Sequence, residues 1–84
     1  MRTVCVWREE ADYARDVQDW LDEFERRTGR EIESMDPDKE TGFCEMYDVV
    51  EYPTIMALDD DGRVLASWRG RQLPRFDEVN YYML

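Results

Sequence analysis

A short apolar run near the start, Thr3-Val4-Cys5-Val6-Trp7, constrains the fold more than any other feature of the sequence. The run shows no alternation of apolar and polar residues, and this pattern is typical of a strand that is buried on both faces. The period then changes between Asp12 and Thr28, where apolar residues fall on one face of a helix: Tyr13, Val17, Trp20, Leu21 and Phe24. A buried strand followed by an amphipathic helix predicts an α/β fold.

The rest of the chain continues this alternation of strands and helices. The further predicted elements are a strand at 31–35, a helix at 39–47, strands at 54–58 and 63–68, and a helix that opens at Leu73-Pro74. Asp61-Gly62 favours a tight hairpin between the last two strands, because this pair tolerates positive φ angles. The later helices are predicted to turn these side chains inward: Phe43, Met46, Tyr47, Phe76, Val79, Tyr82 and Met83. The order β-α-β-α-β-β-α predicts one domain, residues 1–84, with a mixed four-stranded sheet flanked by helices.

The charge of the chain excludes several classes of function. Lys and Arg number 11, Asp and Glu number 21, and the net charge is −10. Such a charge repels phosphate backbones and anionic lipids, so we expect neither nucleic acid nor a membrane as a partner. The sequence has no histidine, which excludes Ser-His-Asp and Cys-His catalysis and removes the commonest metal ligand.

Cellular location is inferred from what the sequence lacks. No apolar segment is long enough for a secretion signal or a membrane span. Two cysteines do not form the disulfide framework of a small secreted domain. We therefore expect a cytoplasmic protein, in which a disulfide between Cys5 and Cys44 is disfavoured.

The acidic clusters do not match a metal-binding pattern. If Gly62 is placed at position 6 of a calcium loop, Ala57 falls at position 1 and Trp68 at position 12, where ligands are needed. The acids in Asp36-Pro37-Asp38-Lys39-Glu40 are interpreted as N-capping residues of the short helix. We expect no metal and no cofactor.

Several motifs resemble the thioredoxin-like superfamily over nearly the whole chain. Val6-Trp7 ends the first strand, as an aromatic-Trp pair does in thioredoxins, and Tyr52-Pro53-Thr54 stands before an apolar strand, with Pro53 46 positions after Trp7. Arg69-Gly70 resembles the family's glycine after the last strand. The resemblance implies the minimal thioredoxin core that glutaredoxins share, with a cis peptide bond before Pro53.

The resemblance also implies that the family's chemistry is lost. It places the two family cysteines at Ala11 and Ala14, and a methyl group supplies neither the attacking nor the resolving thiolate. The family's buried acid aligns with Cys5. Glu9, Glu10 and Asp12 add negative charge that would raise the pKa of any nearby thiol. We therefore predict a catalytically inactive domain rather than an enzyme.

A peptide-binding groove beside Pro53 is a further implication of the resemblance. In the family, an extended peptide pairs with the backbone of the residue before the cis-proline. The corresponding positions here are Trp7, Ala11, Asp12, Tyr13, Tyr52, Pro53, Thr54, Arg69 and Gly70. The charge of the chain favours a basic protein or peptide as the partner. The alternative interpretation is that Pro53 only shapes the fold.

Two other functions remain open from the sequence. A degenerate glutaredoxin-like protein could act through Cys44 with glutathione, which requires an accessible thiol of low pKa; the simpler interpretation is that Cys5 and Cys44 pack in the core. A homodimer or subunit could cover the C-terminal residues 81–84.

Overall fold

The computed structural model describes all 84 residues, and its strands and helices follow the predicted order. The strands are β1 (Arg2–Val6), β2 (Glu33–Met35), β3 (Thr54–Leu58) and β4 (Val64–Arg69). The helices are α1 (Ala14–Thr28), α2 (Thr41–Met46) and α3 (Phe76–Asn80), and a 3-10 turn at Tyr81–Met83 follows. None of these helices combines the length and the apolar character needed to cross a bilayer.

The four strands form one mixed sheet in the order β2-β1-β3-β4. Strands β1 and β2 are parallel and are connected through α1, whereas β3 is antiparallel to both β1 and β4. The predicted mixed four-stranded sheet is therefore confirmed. In the β3–β4 turn, the Gly62 N–H donates to the Asp59 carbonyl, and Gly62 has a φ of 83°. Glycine adopts such a positive φ without steric cost, which explains why it occupies this position.

Two apolar layers cover the two faces of the sheet. Neighbouring residues of β1 point to opposite faces, so Cys5 packs on one side and Val4 and Val6 pack on the other. The side with α1 and α3 contains Cys5, Trp7, Tyr13, Val17, Phe24, Ile32, Ile55 and Val79. The side with α2 contains Val4, Val6, Met35, Cys44, Val49, Met56 and Leu58.

Helix α1 begins two residues later than predicted. The chain first makes turns in which the Ala11 N–H donates to the Arg8 carbonyl and the Ala14 N–H donates to the Ala11 carbonyl. The Tyr13 ring is buried at the N-cap position, and its hydroxyl accepts a hydrogen bond from the Arg8 N–H at 3.0 Å. This contact fixes the chain in a turn over the residues where the periodicity predicted helix.

The prediction that Met46 faces inward is wrong, since 76% of this residue is exposed. Cys44 is the residue of α2 that packs against the sheet. Successive helix residues are rotated by about 100°, so a residue two positions from Cys44 points to nearly the opposite side.

The capping role predicted for the acidic residues 36–40 is also wrong. Helix α2 begins at Thr41, and no side chain caps its N-terminus. The Asp36 carboxylate instead accepts a hydrogen bond from the Asp38 N–H at 2.9 Å. Asp36 therefore stabilises the turn that precedes the helix.

Candidate functional site

The end of β1, the loop before β3 and the end of β4 meet beside Pro53. Val6 is paired with Thr54 across the antiparallel β1–β3 ladder, which places Trp7 next to Pro53. The Pro53 carbonyl accepts a hydrogen bond from the Gly70 N–H at 2.9 Å, and the Tyr52–Pro53 peptide bond is cis. The structure therefore brings together residues that are far apart in the sequence.

Most of the apolar residues at this place belong to the core. Trp7 is 6% exposed, and Tyr13, Pro53 and Thr54 are buried as well. The Thr54 hydroxyl donates to the Glu51 carbonyl at 2.6 Å. Only the edge of Trp7 reaches the surface, so these residues form the floor of the candidate site rather than open walls.

Arg8 covers the half-buried Tyr52, which is a contact the sequence did not reveal. Its guanidinium carbon lies 4.6 Å from the centre of the Tyr52 ring. The same guanidinium donates twice to the Asp38 carboxylate, at 3.0 and 3.3 Å, and this hydrogen bonding lowers the pKa of Asp38. Arg8 and Asp38 are 30 positions apart, so no local pattern could have predicted the pair.

Arg71 makes a similar contact on the other side of Trp7. It donates to the Asp12 carboxylate, and its guanidinium carbon lies 5.9 Å from the centre of the Tyr13 ring. The hydrogen bond from Arg71 lowers the pKa of Asp12. Asp12, predicted as an acidic group of the groove, therefore already has a cationic partner within the chain.

Arg69 and Gly70 support the site from the end of β4. Arg69 donates to the carbonyls of Asp48 and Tyr47, at 2.6 and 3.3 Å, and so holds the loop that follows α2. Gly70 has a φ of 96°, and a Cβ atom there would lie 3.4 Å from the Glu51 carboxylate. Glycine adopts this positive φ without steric cost, which explains why it occupies position 70.

A cavity lined mainly by acidic residues opens at the carboxyl ends of β1 and β2, and we call it the acidic cleft. It has a volume of about 310 Å³ and is lined by Trp7, Glu9, Glu33, Ser34, Met35, Asp36, Lys39 and Glu40. Glu33 is paired with Arg2, whereas Glu9 and Glu40 make no ion pair. Ligands of open α/β sheets bind outside the carboxyl ends of the strands, which is the position of this cleft.

Only Trp7 of the predicted groove residues lines the acidic cleft. The acidic pattern of residues 36–40 predicted capping of the short helix, whereas Asp36, Lys39 and Glu40 line the cleft. A second depression of about 440 Å³ shares Trp7 and Glu9 with it and extends along α1 past Ala14. A larger open depression of about 540 Å³ lies away from this site, against Trp20 and Phe76.

Both cysteines lie in the core, on opposite faces of the sheet. Cys5 is fully buried beside α1, and burial raises the pKa of its thiol to about 12. Cys44 is 9% exposed, and its pKa is also raised, chiefly by desolvation. Both thiols are free. No group of three or more Cys, Asp or Glu side chains is arranged to hold a metal ion.

Comparison with solved structures shows a thioredoxin-like fold. Thioredoxin 1 from the thermophilic eubacterium Thermosipho africanus TCF52B superposes with a TM-score of 0.70 at 13% sequence identity, over 99% of this chain and 90% of that chain. A malarial protein superposes with a TM-score of 0.69 at 14% identity, over 96% of this chain and 90% of that chain. No family model and no curated protein matches the sequence. At these identities the likeness shows the fold alone.

Proposed function

We propose that this chain is a thioredoxin-like domain without thiol chemistry, and that it binds an extended basic segment of another protein in the acidic cleft. The observation that carries the proposal is that two exposed carboxylates without cationic partners, Glu9 and Glu40, lie beside the apolar floor of the cleft. Trp7 and Met35 form that floor.

The absence of thiol chemistry is supported by the residues at the start of α1. Ala11 lies in the turn before the helix and Ala14 is its first residue. Neither methyl group forms a thiolate, and the two cysteines lie in the core. Thiol exchange requires an accessible thiolate, which these positions do not supply.

The preference for a basic partner is supported by charge. Four carboxylates line the cleft, Glu9, Glu33, Asp36 and Glu40, with Lys39 as the opposing cation. Charge complementarity at an interface steers association and selects partners. The chain itself provides an example of the contact, because Arg8 stacks on Tyr52 while it pairs with Asp38.

Burial of Cys44 opposes the single-thiol alternative and outweighs the neighbouring Arg8 and the hydrogen bond with Tyr52, both of which lower the pKa of this thiol. A reaction with glutathione needs an exposed sulfur that ionises near neutral pH. Cys44 is buried and its pKa is raised by desolvation, which opposes both requirements.

Charge reversal at the cleft tests the proposal. The probe is a fluorescein-labelled octapeptide of alternating arginine and alanine, titrated at low salt and followed by fluorescence anisotropy. Glu9→Lys and Glu40→Lys each exchange a carboxylate for a cation at about 8 Å from a bound guanidinium, which changes the interaction by about 1 kcal/mol and should weaken Kd about fivefold.

The matched control is Glu25→Lys, which makes the same change of net charge on the exposed surface of α1, outside the cleft. We expect this variant to change Kd less than twofold. If it weakens binding as much as Glu9→Lys, the peptide responds to net charge alone and the proposed site is wrong.

A further inference from the structure

The outer edge of β2 has no hydrogen-bonding partner in the chain. Strand β2 is first in the sheet order and pairs with β1 alone. Apart from that ladder, the backbone of β2 makes one hydrogen bond, in which the Met35 carbonyl accepts from the Trp7 N–H at 3.0 Å, on the side of β1. An unpaired edge of this kind accepts an added strand unless the protein blocks it.

The register identifies the backbone groups of β2 that face outward. The N–H and C=O of one strand residue point to the same side, and those of the next residue point to the other side. Because the Met35 carbonyl faces Trp7, the N–H and C=O of Ser34 point away from β1. Ser34 is exposed, and neither of these groups has a partner in the chain.

The acidic cleft reaches this edge. All three residues of β2, Glu33, Ser34 and Met35, line the cleft. Neighbouring side chains of a strand point to opposite faces of the sheet, so a cavity that touches all three passes round the strand. Strand β1 occupies the inner side of β2. An extended segment in the acidic cleft therefore comes within reach of the outward groups of Ser34.

The unpaired charges that line the cleft are mainly negative. Glu9, Asp36 and Glu40 form no ion pair, and the Asp36 carboxylate accepts a hydrogen bond only from a backbone N–H. Lys39 is the one unpaired cation that lines the cleft. Three carboxylates are thus opposed by one ammonium group, which favours a cationic occupant.

The charges around the cleft do not reverse this balance. Two ion pairs at its border are neutral within the chain: Arg2 with Glu33, and Arg8 with Asp38. Arg30 and Glu31, just before β2, form no ion pair and have opposite charges. They add no net charge to this edge of the sheet.

We infer that the basic segment in the acidic cleft binds as a fifth strand along the outer edge of β2, with main-chain hydrogen bonds to Ser34. The inference rests on the proposed function and specifies how the partner is held. Alternate residues of an added strand point to the same face, so the partner carries cations at every second position. Main-chain hydrogen bonds supply affinity, and the alternate side chains supply selectivity.

A second copy of this chain fits poorly at the same edge. A twofold antiparallel pairing of two β2 strands about Ser34 would bring two acidic clefts together. Like charges across two strands destabilise their pairing, and each chain has a net charge of −10. The occupant that matches the charge of the edge is a cationic segment of another protein.

The experiment compares two isomers of the arginine-alanine octapeptide on the full, ¹⁵N-labelled chain. One isomer has N-methyl groups on its two central arginines, and the other has them on its two central alanines. The N–H groups of these two sets point to opposite sides of an extended peptide, so only one set faces β2. We expect Kd to differ about fivefold or more between the isomers, because one of them loses donors to β2. We also expect slower hydrogen exchange of the Ser34 amide in the saturated complex.

A substitution in the protein tests the same hydrogen bond. Ser34→Pro removes the outward N–H and keeps the ladder with β1, so Kd of the unmethylated peptide should rise about fivefold. The matched control Ser34→Thr retains the N–H and should bind within about twofold of the unmodified protein.

Failure of the inference is distinguishable from failure of the proposed function. If Glu9→Lys weakens peptide binding, but the two isomers bind equally or the Ser34 amide exchanges as in the free protein, the added strand is wrong and the acidic cleft stands. If Glu9→Lys leaves the affinity unchanged, both proposals fail. Wild-type affinity in a folded Ser34→Pro variant, or a dimer in sedimentation of the peptide-free protein, would also overturn the added strand. If Ser34→Pro does not fold, the comparison of the isomers decides.

Discussion

Two arginines determine which charges the candidate site presents. Arg8 pairs with Asp38 and covers Tyr52, while Arg71 pairs with Asp12 and lies against Tyr13. Two carboxylates around the site are thereby neutralised within the chain. In the acidic cleft, by contrast, the exposed carboxylates of Glu9 and Glu40 have no ion pair.

The two thiols give a prediction at the same scale. Because both cysteines are buried and the pKa of each is raised, the folded protein contains less thiolate at any pH than an unfolded chain. We expect iodoacetamide at pH 7 to leave the native protein largely unmodified and to label Cys5 and Cys44 together after denaturation in guanidinium chloride. Mass spectrometry gives the number of modified cysteines in each sample. Rapid labelling of Cys44 alone in the native protein would revive the single-thiol function.

Among the elements, α2 depends on contacts outside itself. It has six residues and no side-chain cap, which is too short for a helix to be stable alone. Arg69 reaches it from β4 and donates to the carbonyls of Tyr47 and Asp48 just beyond its C-terminal end. Through Arg69, strand β4 thus helps to fix the start of the loop between α2 and Pro53.

Replacement of this arginine tests that support. Arg69→Met removes both hydrogen bonds and should lower the free energy of unfolding in urea by about 1–2 kcal/mol. The control is Arg75→Met, which removes an arginine whose exposed ion pairs contribute at most about 0.5 kcal/mol. An equal decrease in the free energy of unfolding in the two variants would show that the hydrogen bonds of Arg69 do not stabilise α2.

The same elements show what the sequence could predict. The bounds of β3 are as predicted, because an apolar run between turn residues is a local signal. The start of α1 differs from the prediction, because it depends on the hydrogen bond between the Arg8 N–H and the Tyr13 hydroxyl. The side of α2 that faces inward was also not predicted, because it depends on how a short helix packs against the sheet. Trp7 was predicted at the site from the motif spacing. The acidic cleft was not predicted, because its residues come from segments that are far apart in the sequence, 7–9 and 33–40.

Over the whole molecule, charge is distributed unevenly across the sheet. The cleft at β1 and β2 gathers four carboxylates and one lysine, while the arginines at 63, 71 and 75 are paired with carboxylates of the chain. Long-range fields of this kind guide charged partners to particular surfaces. We therefore expect a cationic partner to approach the sheet from the side of β1 and β2.

The most direct test of the central claim is to map where the arginine-alanine octapeptide binds on the ¹⁵N-labelled protein. The account predicts saturable amide shifts concentrated at residues 7–9 and 33–40, which contribute the acidic cleft. It would be contradicted by shifts that never saturate, or by shifts as large at Asp16 and Asp22 on the exposed acidic surface of α1.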